Sequence, residues 1–337
     1  MHTQYHSYNI RNNSGRHLHS RNSHPVNHKR LIRIYANIVG IGTVILALFS
    51  VLGAPVLIWM LPFIRSFLPL VQDEFFGYAL SLAAYCVFLG IPCVILMSLL
   101  KAPSPVAFPL HRPKPDILVC AVLISLGMRI VGSMVTGYFS AVFEGFTGLT
   151  PEAPASMPPQ STAAYFIYFL SVAVAPAILE EAMFRGVIMQ SLRRFGDSFA
   201  VVASSVLFAL AHGNLVQGPY SFTLGLLIGY FVVITGSLWA GIAIHFVNNF
   251  IALVLERMMS TLSPDIFNAF AGAFFIFSIL LGLAGIAFMR MRYGRVFYLT
   301  RGNYPVREGQ KHRIFFTSPF ILATIILSLR EAWRYLA

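Results

Sequence analysis

Long apolar runs separated by short polar, basic connections make up most of this chain. About 20 apolar residues cross the hydrocarbon core of a bilayer as a helix. Eight segments meet that measure, near 35–61, 75–100, 117–143, 163–192, 198–213, 218–235, 238–256 and 266–290. Each predicts a membrane helix, because a backbone in lipid must satisfy its hydrogen bonds within the segment. The fifth, sixth and seventh runs are short or polar by this measure, as suits helices inside a bundle. A ninth run, Ile314 to Leu329, has 16 residues and is broken by Pro319. It predicts an interfacial or re-entrant helix. The expected fold class is all-α, a polytopic membrane helix bundle of about eight transmembrane helices.

Composition agrees with the pattern. Of 337 residues 57% are hydrophobic and 11% charged, against about one quarter charged in a soluble domain. The net charge of +12 would suit nucleic acid, but the basic residues collect at the ends of the apolar runs and read as topology signals. No nucleic-acid partner is expected; the bilayer is. With the N-terminal tail in the cytoplasm, the tail, residues 101–114, Arg193 with Arg194, and residues 290–313 carry eighteen Lys and Arg. The other side holds Arg65 and Arg257. This asymmetry predicts a multi-pass protein of the cell membrane with both termini cytoplasmic and Thr150 to Gln160 as an outer loop.

The chain divides accordingly. Residues 1–33 predict a disordered basic cytoplasmic tail with six of the ten histidines, without regular metal-ligand spacing. Residues 34–160 hold helices one to three, residues 161–258 helices four to seven, and residues 259–337 helix eight with a cytoplasmic or interfacial segment. The first apolar run begins late and is long enough to span, so no cleaved signal peptide is expected. Cys86 and Cys93 lie about 10 Å apart along one helix, so no disulfide framework is predicted. Nothing in the sequence fixes the oligomeric state.

Candidate chemistry lies in the core. Glu180 and Glu181 stand together inside the fourth run with Arg185 four residues on, Phe208 and His212 lie in the fifth, and His245 and Asn249 in the seventh. An ionised side chain at bilayer depth costs about 2.5–3.5 kcal/mol on insertion scales, so such residues face a protein interior and mark chemistry or transport. Positions four apart share a helix face. Glu181 can therefore pair with Arg185, and His245 can project beside Asn249, while Glu180, about 100° around the helix from Glu181, points elsewhere. Counted from the nearest helix ends, Glu180 and His212 lie about 20 Å from the cytoplasmic side, and Asn249 lies about 18 Å in. Pro176 predicts a kink one turn before Glu180. Gly225 and Gly229 form a small-residue pattern that predicts packing within the chain. Arg129 needs either a carboxylate partner or a watery cavity.

The ordered set Glu180-Glu181-Ala-Met-Phe-Arg185, Phe208-Ala-Leu-Ala-His212 and His245-Phe-Val-Asn-Asn249 resembles the CPBP family, the Abi or type II CAAX prenyl endopeptidases. The resemblance covers residues 163 to about 256. It implies an intramembrane endopeptidase in which Glu180 and His212 activate water and His245 and Asn249 stabilise the oxyanion. Glu181, Arg185 and Phe208 would support the site. The substrate it implies is a membrane-associated polypeptide, lipidated or not, and no cofactor is expected. The competing mechanism is a zinc enzyme with Glu180, His212 and His245 as ligands. An immunity protein or a transporter on the same bundle would be non-enzymatic; against transport, the chain shows no second copy of the Glu-Glu motif.

Overall fold

A computed structural model describes residues 27–67, 74–154, 158–294, 296–300, 302 and 304–337. Ten helices of eight or more residues organise these residues: α1 (His28–Phe67), α2 (Glu74–Leu100), α3 (Pro115–Thr147), the interrupted α4 (Thr162–Phe195), α5 (Asp197–Ala211), α6 (Gln217–Thr235), α7 (Leu238–Thr261), α8 (Pro264–Tyr293), α9 (Glu308–Phe316) and α10 (Pro319–Ala332). No strand is present among the described residues; the one β-type contact is an isolated bridge between Pro151 and Leu336. The fold is a polytopic membrane helix bundle. Seven helices are long and apolar enough to span, and α9 with α10 makes an eighth if that bent pair counts as one span.

The count matches the expectation, but its membership differs. The fifth expected span, α5, is only 15 residues long, about 22 Å. It is a largely buried internal helix that ends at His212, where Gly213 takes φ +60° and stops it. The ninth run falls in the bent pair α9 and α10, a broken span or a re-entrant segment. α9 and α10 meet at a 68° bend, and α10 lies along α1 through Thr43 and Thr324, whose hydroxyls are 2.8 Å apart. Gly40 makes room for this pairing, since a Cβ there would stand 2.6 Å from that of Phe320.

The ends of the chain require two corrections. α1 begins at His28 rather than near residue 34, because Asn27 caps it: its side-chain oxygen accepts the Arg30 N–H at 3.1 Å and its carbonyl the Leu31 N–H at 3.0 Å. Ile32 and Ala36 are then buried in the core. Tail residues 1–26 lie outside the described residues. At the other end, Thr150 and Ala337 exchange backbone hydrogen bonds of 3.0 and 3.1 Å, and the Glu152 N–H donates to Tyr335. Ala337 therefore sits beside the connection between α3 and α4. The start of α1 lies on the other face, where the Tyr304 hydroxyl donates to the His28 carbonyl and Lys311 to that of Phe195. A cytoplasmic chain end at Ala337 and an outer loop at 150–160 do not hold together.

α4 is wound in three registers. A regular turn, Ala175–Glu181, lies between wider π-type stretches at Leu170–Val174 and Ala182–Ile188. Pro176 accounts for the first: it has no N–H to offer the Val172 carbonyl four residues back and its ring crowds it. The ladder widens there, with Ala175 N–H reaching the Leu170 carbonyl. The expected kink at Pro176 takes this form.

Glycines set the closest approaches. Gly225 on α6 lets α4 in, since a Cβ there would stand 3.0 Å from Arg185 Nη2, and Gly229 faces Val201 and Met189. The pattern packs helices within the chain, as expected. Gly241 on α7 similarly faces Glu181 Oε2, 3.0 Å from where its Cβ would be.

Candidate active site

Two neighbouring carboxylates on the central turn of α4 meet different surroundings. Glu181 and Arg185 are fully buried, and Arg185 Nη1 donates to Glu181 Oε1 at 3.0 Å. The same oxygen accepts His245 Nδ1–H at 2.8 Å. The Arg185 guanidinium lies over the Phe208 ring, 4.2 Å from its centre. Phe208 also meets the rings of His245 and His212 edge to face, at 5.6 and 4.9 Å between centres. Phe208 thus packs between both histidines and the arginine, while Glu181 fixes the tautomer of His245: with Nδ1 donating, Nε2 carries the lone pair in the neutral ring.

Glu180 stands at the edge of this cluster. Its Oε1 accepts the Tyr85 hydroxyl of α2 at 2.6 Å. Its Oε2 lies 3.7 Å from His245 Nε2, beyond hydrogen-bonding distance, and has no hydrogen-bond partner among the described residues. Glu180 and His212 line one cavity of about 180 Å³, walled by Leu46, Phe49 and Ser50 of α1 and by Tyr85, Phe88 and Leu89 of α2. His212 Nδ1 lies 2.9 Å from the Phe208 carbonyl. A carbonyl only accepts, so Nδ1 carries the hydrogen and Nε2 presents a lone pair.

The expected residues therefore come together in part. Glu180 and His212 share the cavity; His245 does not line it, its Nε2 standing 3.7 Å from Glu180 Oε2. Asn249 has another engagement, its amide donating at 3.0 Å to the Val172 carbonyl, the group that Pro176 leaves without a helical donor. The second amide N–H remains. Adjacent Asn248 belongs to a separate network: its side-chain oxygen accepts the Tyr220 hydroxyl at 2.9 Å, and its own amide donates to Ile244. Arg129 donates to the Asn248 carbonyl at 2.9 Å and to the Tyr220 hydroxyl at 3.4 Å. Its partners are thus a carbonyl and a phenol, which corrects the carboxylate expectation; a guanidinium five donors wide can be satisfied by neutral acceptors.

Tyr85 was not foreseen. The only sequence signal was a hydroxyl in the middle of the apolar run 75–100, with no spacing to tie it to Glu180. Zinc fits poorly: among the described residues no three His, Cys, Asp or Glu side chains form a metal-binding group. Glu181 holds the His245 ring with Nε2 3.7 Å from Glu180 Oε2, and His245 does not line the cavity that Glu180 and His212 share.

Residues 162–251 match the family model described as type II CAAX prenyl endopeptidase Rce1-like, a stretch that contains every motif residue from Glu180 to Asn249. This match and the relative below support a CPBP/CAAX-type peptidase for this multi-pass membrane chain. Among curated proteins, the membrane-embedded CAAX protease MroQ of Staphylococcus aureus (strain USA300) is 27% identical over 173 residues, 49% of this chain and 69% of the relative. No solved structure gives a significant match. Tyr85 and the α1 and α2 walls of the cavity lie outside the matched stretch.

Proposed function

We propose that Glu180 and His212 activate a water molecule for hydrolysis of a peptide bond in a membrane-associated polypeptide. The observation that carries this reading is the cavity that Glu180 and His212 line together, beside a Glu180 oxygen without a hydrogen-bond partner among the described residues and a His212 ring whose Nδ1 is turned to a carbonyl. Glu180 takes a proton from the water as its oxygen bonds to the carbonyl carbon, and His212 Nε2 accepts the water's second hydrogen bond and so aims it. The tetrahedral intermediate collapses by breaking the C–N bond, with the abstracted proton passing to the leaving amine. The charge on the carbonyl oxygen is met by the second amide N–H of Asn249 and by His245, whose Nε2 donates when the ring is doubly protonated. Glu181 and Arg185 hold His245 in that orientation, and Tyr85 holds Glu180.

The family description points to prenylated substrates and MroQ to a CAAX protease, which makes a lipidated polypeptide the first substrate to test. The N-terminal tail is assigned to the cytoplasm on its basic residues, and Ala337 then lies outside. Purified wild type, Glu180→Gln and His212→Ala should be assayed on farnesylated and unmodified peptides, with and without a chelator. Both variants should lose cleavage, and the wild type should resist the chelator. Full activity in Glu180→Gln would remove the base assignment; chelator inhibition reversed by zinc would replace the mechanism.

A further inference from the structure

Away from the cavity, the basic face holds a second concave site. A groove of about 1280 Å³ opens between the first turns of α1 and helix α9. Lys29, Arg30 and Arg33 line it from α1, and Arg307 and Arg313 from the α9 side. No Asp or Glu lines it, and no carboxylate pairs with any of the five among the described residues. The nearest acid on α9, Glu308, is bonded to the buried Lys311 at 2.6 Å. Lys29 and Arg33 are also a like-charge pair four apart on one helix, an unfavourable spacing. Five cations on two facing walls repel one another and draw an anion between them.

We infer that this groove binds the phosphate-bearing headgroup of an anionic phospholipid. Its level in the fold selects that occupant. The polar rim, from Asn27 to Arg33 and from Pro305 to Gln310, gives way to Ile314 and Thr317, just where α9 bends into apolar α10. His28–Gly53 is apolar and long enough to span a membrane, and Lys29, Arg30 and Arg33 stand in its first two turns. The cations thus stand where headgroups stand, with a route for acyl chains beside the bend, and basic pockets between helices at that depth suit acidic headgroups. The headgroup would bridge α1 to α9 across the groove and hold the start of the bent pair against the bundle.

The test is the thermal unfolding midpoint of the full chain in neutral-detergent micelles, titrated with phosphatidylglycerol, phosphatidylcholine or inorganic phosphate. A ligand of the native state raises the midpoint. Phosphatidylglycerol should raise it and the other two should not. Arg33→Glu combined with Arg313→Glu should increase the half-effect concentration at least about tenfold, while Arg290→Glu with Arg292→Glu, basic residues outside the groove, should not. If the first pair impairs folding, Lys29→Gln with Arg30→Gln supplies the same comparison with an expected shift of about threefold or more. Equal responses to phosphatidylcholine or inorganic phosphate, or equal loss in the Arg290 and Arg292 pair, would overturn the inference.

Discussion

Glu180 and Glu181 are consecutive on one helical turn, yet they belong to two regions of opposite character. Around Glu181, an arginine, a histidine and an aromatic face close on one another in the dry core, and Glu181 Oε1 receives two charge-assisted hydrogen bonds. Around Glu180, one oxygen is held by Tyr85 and the other lacks a partner, beside a cavity shared with His212. Glu181 Oε2, Arg185 Nε and Arg185 Nη2 also lack hydrogen-bond partners among the described residues, so what sets Glu180 apart is the cavity it lines with His212, whereas Glu181 and Arg185 are enclosed by packed side chains. The 100° step between adjacent helical residues is enough to separate scaffold from reagent.

That contrast can be broken from its rigid side first. Arg185→Met would leave Glu181 buried with His245 alone, and losing one member of a buried pair costs about 3–5 kcal/mol. Denaturant unfolding in micelles should show that loss, and an unchanged midpoint would mean that the cluster is not closed. Asn249→Ala comes next. Exposing the Val172 carbonyl costs about 1–3 kcal/mol, and losing an oxyanion donor lowers kcat by about 10²–10³. A stability loss with kcat retained would leave Asn249 only the backbone role. Gly241→Ala would push a methyl to 2.8 Å from Val232 Cγ2 and 3.0 Å from Glu181 Oε2. We expect about 1–3 kcal/mol of destabilisation, read as a lower melting midpoint. Tyr85→Phe should have the smallest effect on stability, within about 1.5 kcal/mol, while kcat falls about tenfold with KM little changed. Equal kcat would show that Glu180 is positioned without α2.

Much of this arrangement was legible in the sequence, for a physical reason. The Glu181–Arg185 pair, the packing of Gly225 and Gly229 and the kink at Pro176 are local, set by helical spacing or by one residue's backbone chemistry. The sharing of a cavity by Glu180 and His212 was expected from depth alone, since both are a similar number of turns from the same face. What escaped was non-local. Tyr85 and Glu180 are 95 residues apart, and nothing in an apolar run announces which hydroxyl turns inward. His245 reads beside Asn249 as an oxyanion group, but its contact with Glu181 depends on how closely Gly241 lets α7 approach α4. The course of α9 and α10 was hidden because a run interrupted by Pro319 fails a length criterion that assumes one straight helix. Its true course rests on the pairing of Ala337 with Thr150, which has no hydropathy signature.

The separation of the two glutamates is tested most directly by measuring single-turnover peptide cleavage and thermal unfolding side by side for Glu180→Gln and Glu181→Gln. If Glu180 is the base and Glu181 part of the scaffold, Glu180→Gln will melt close to the wild type and cleave at least about 10²-fold more slowly. Glu181→Gln will melt well below the wild type. Wild-type cleavage by Glu180→Gln, or an unchanged melting midpoint in Glu181→Gln, would contradict that division.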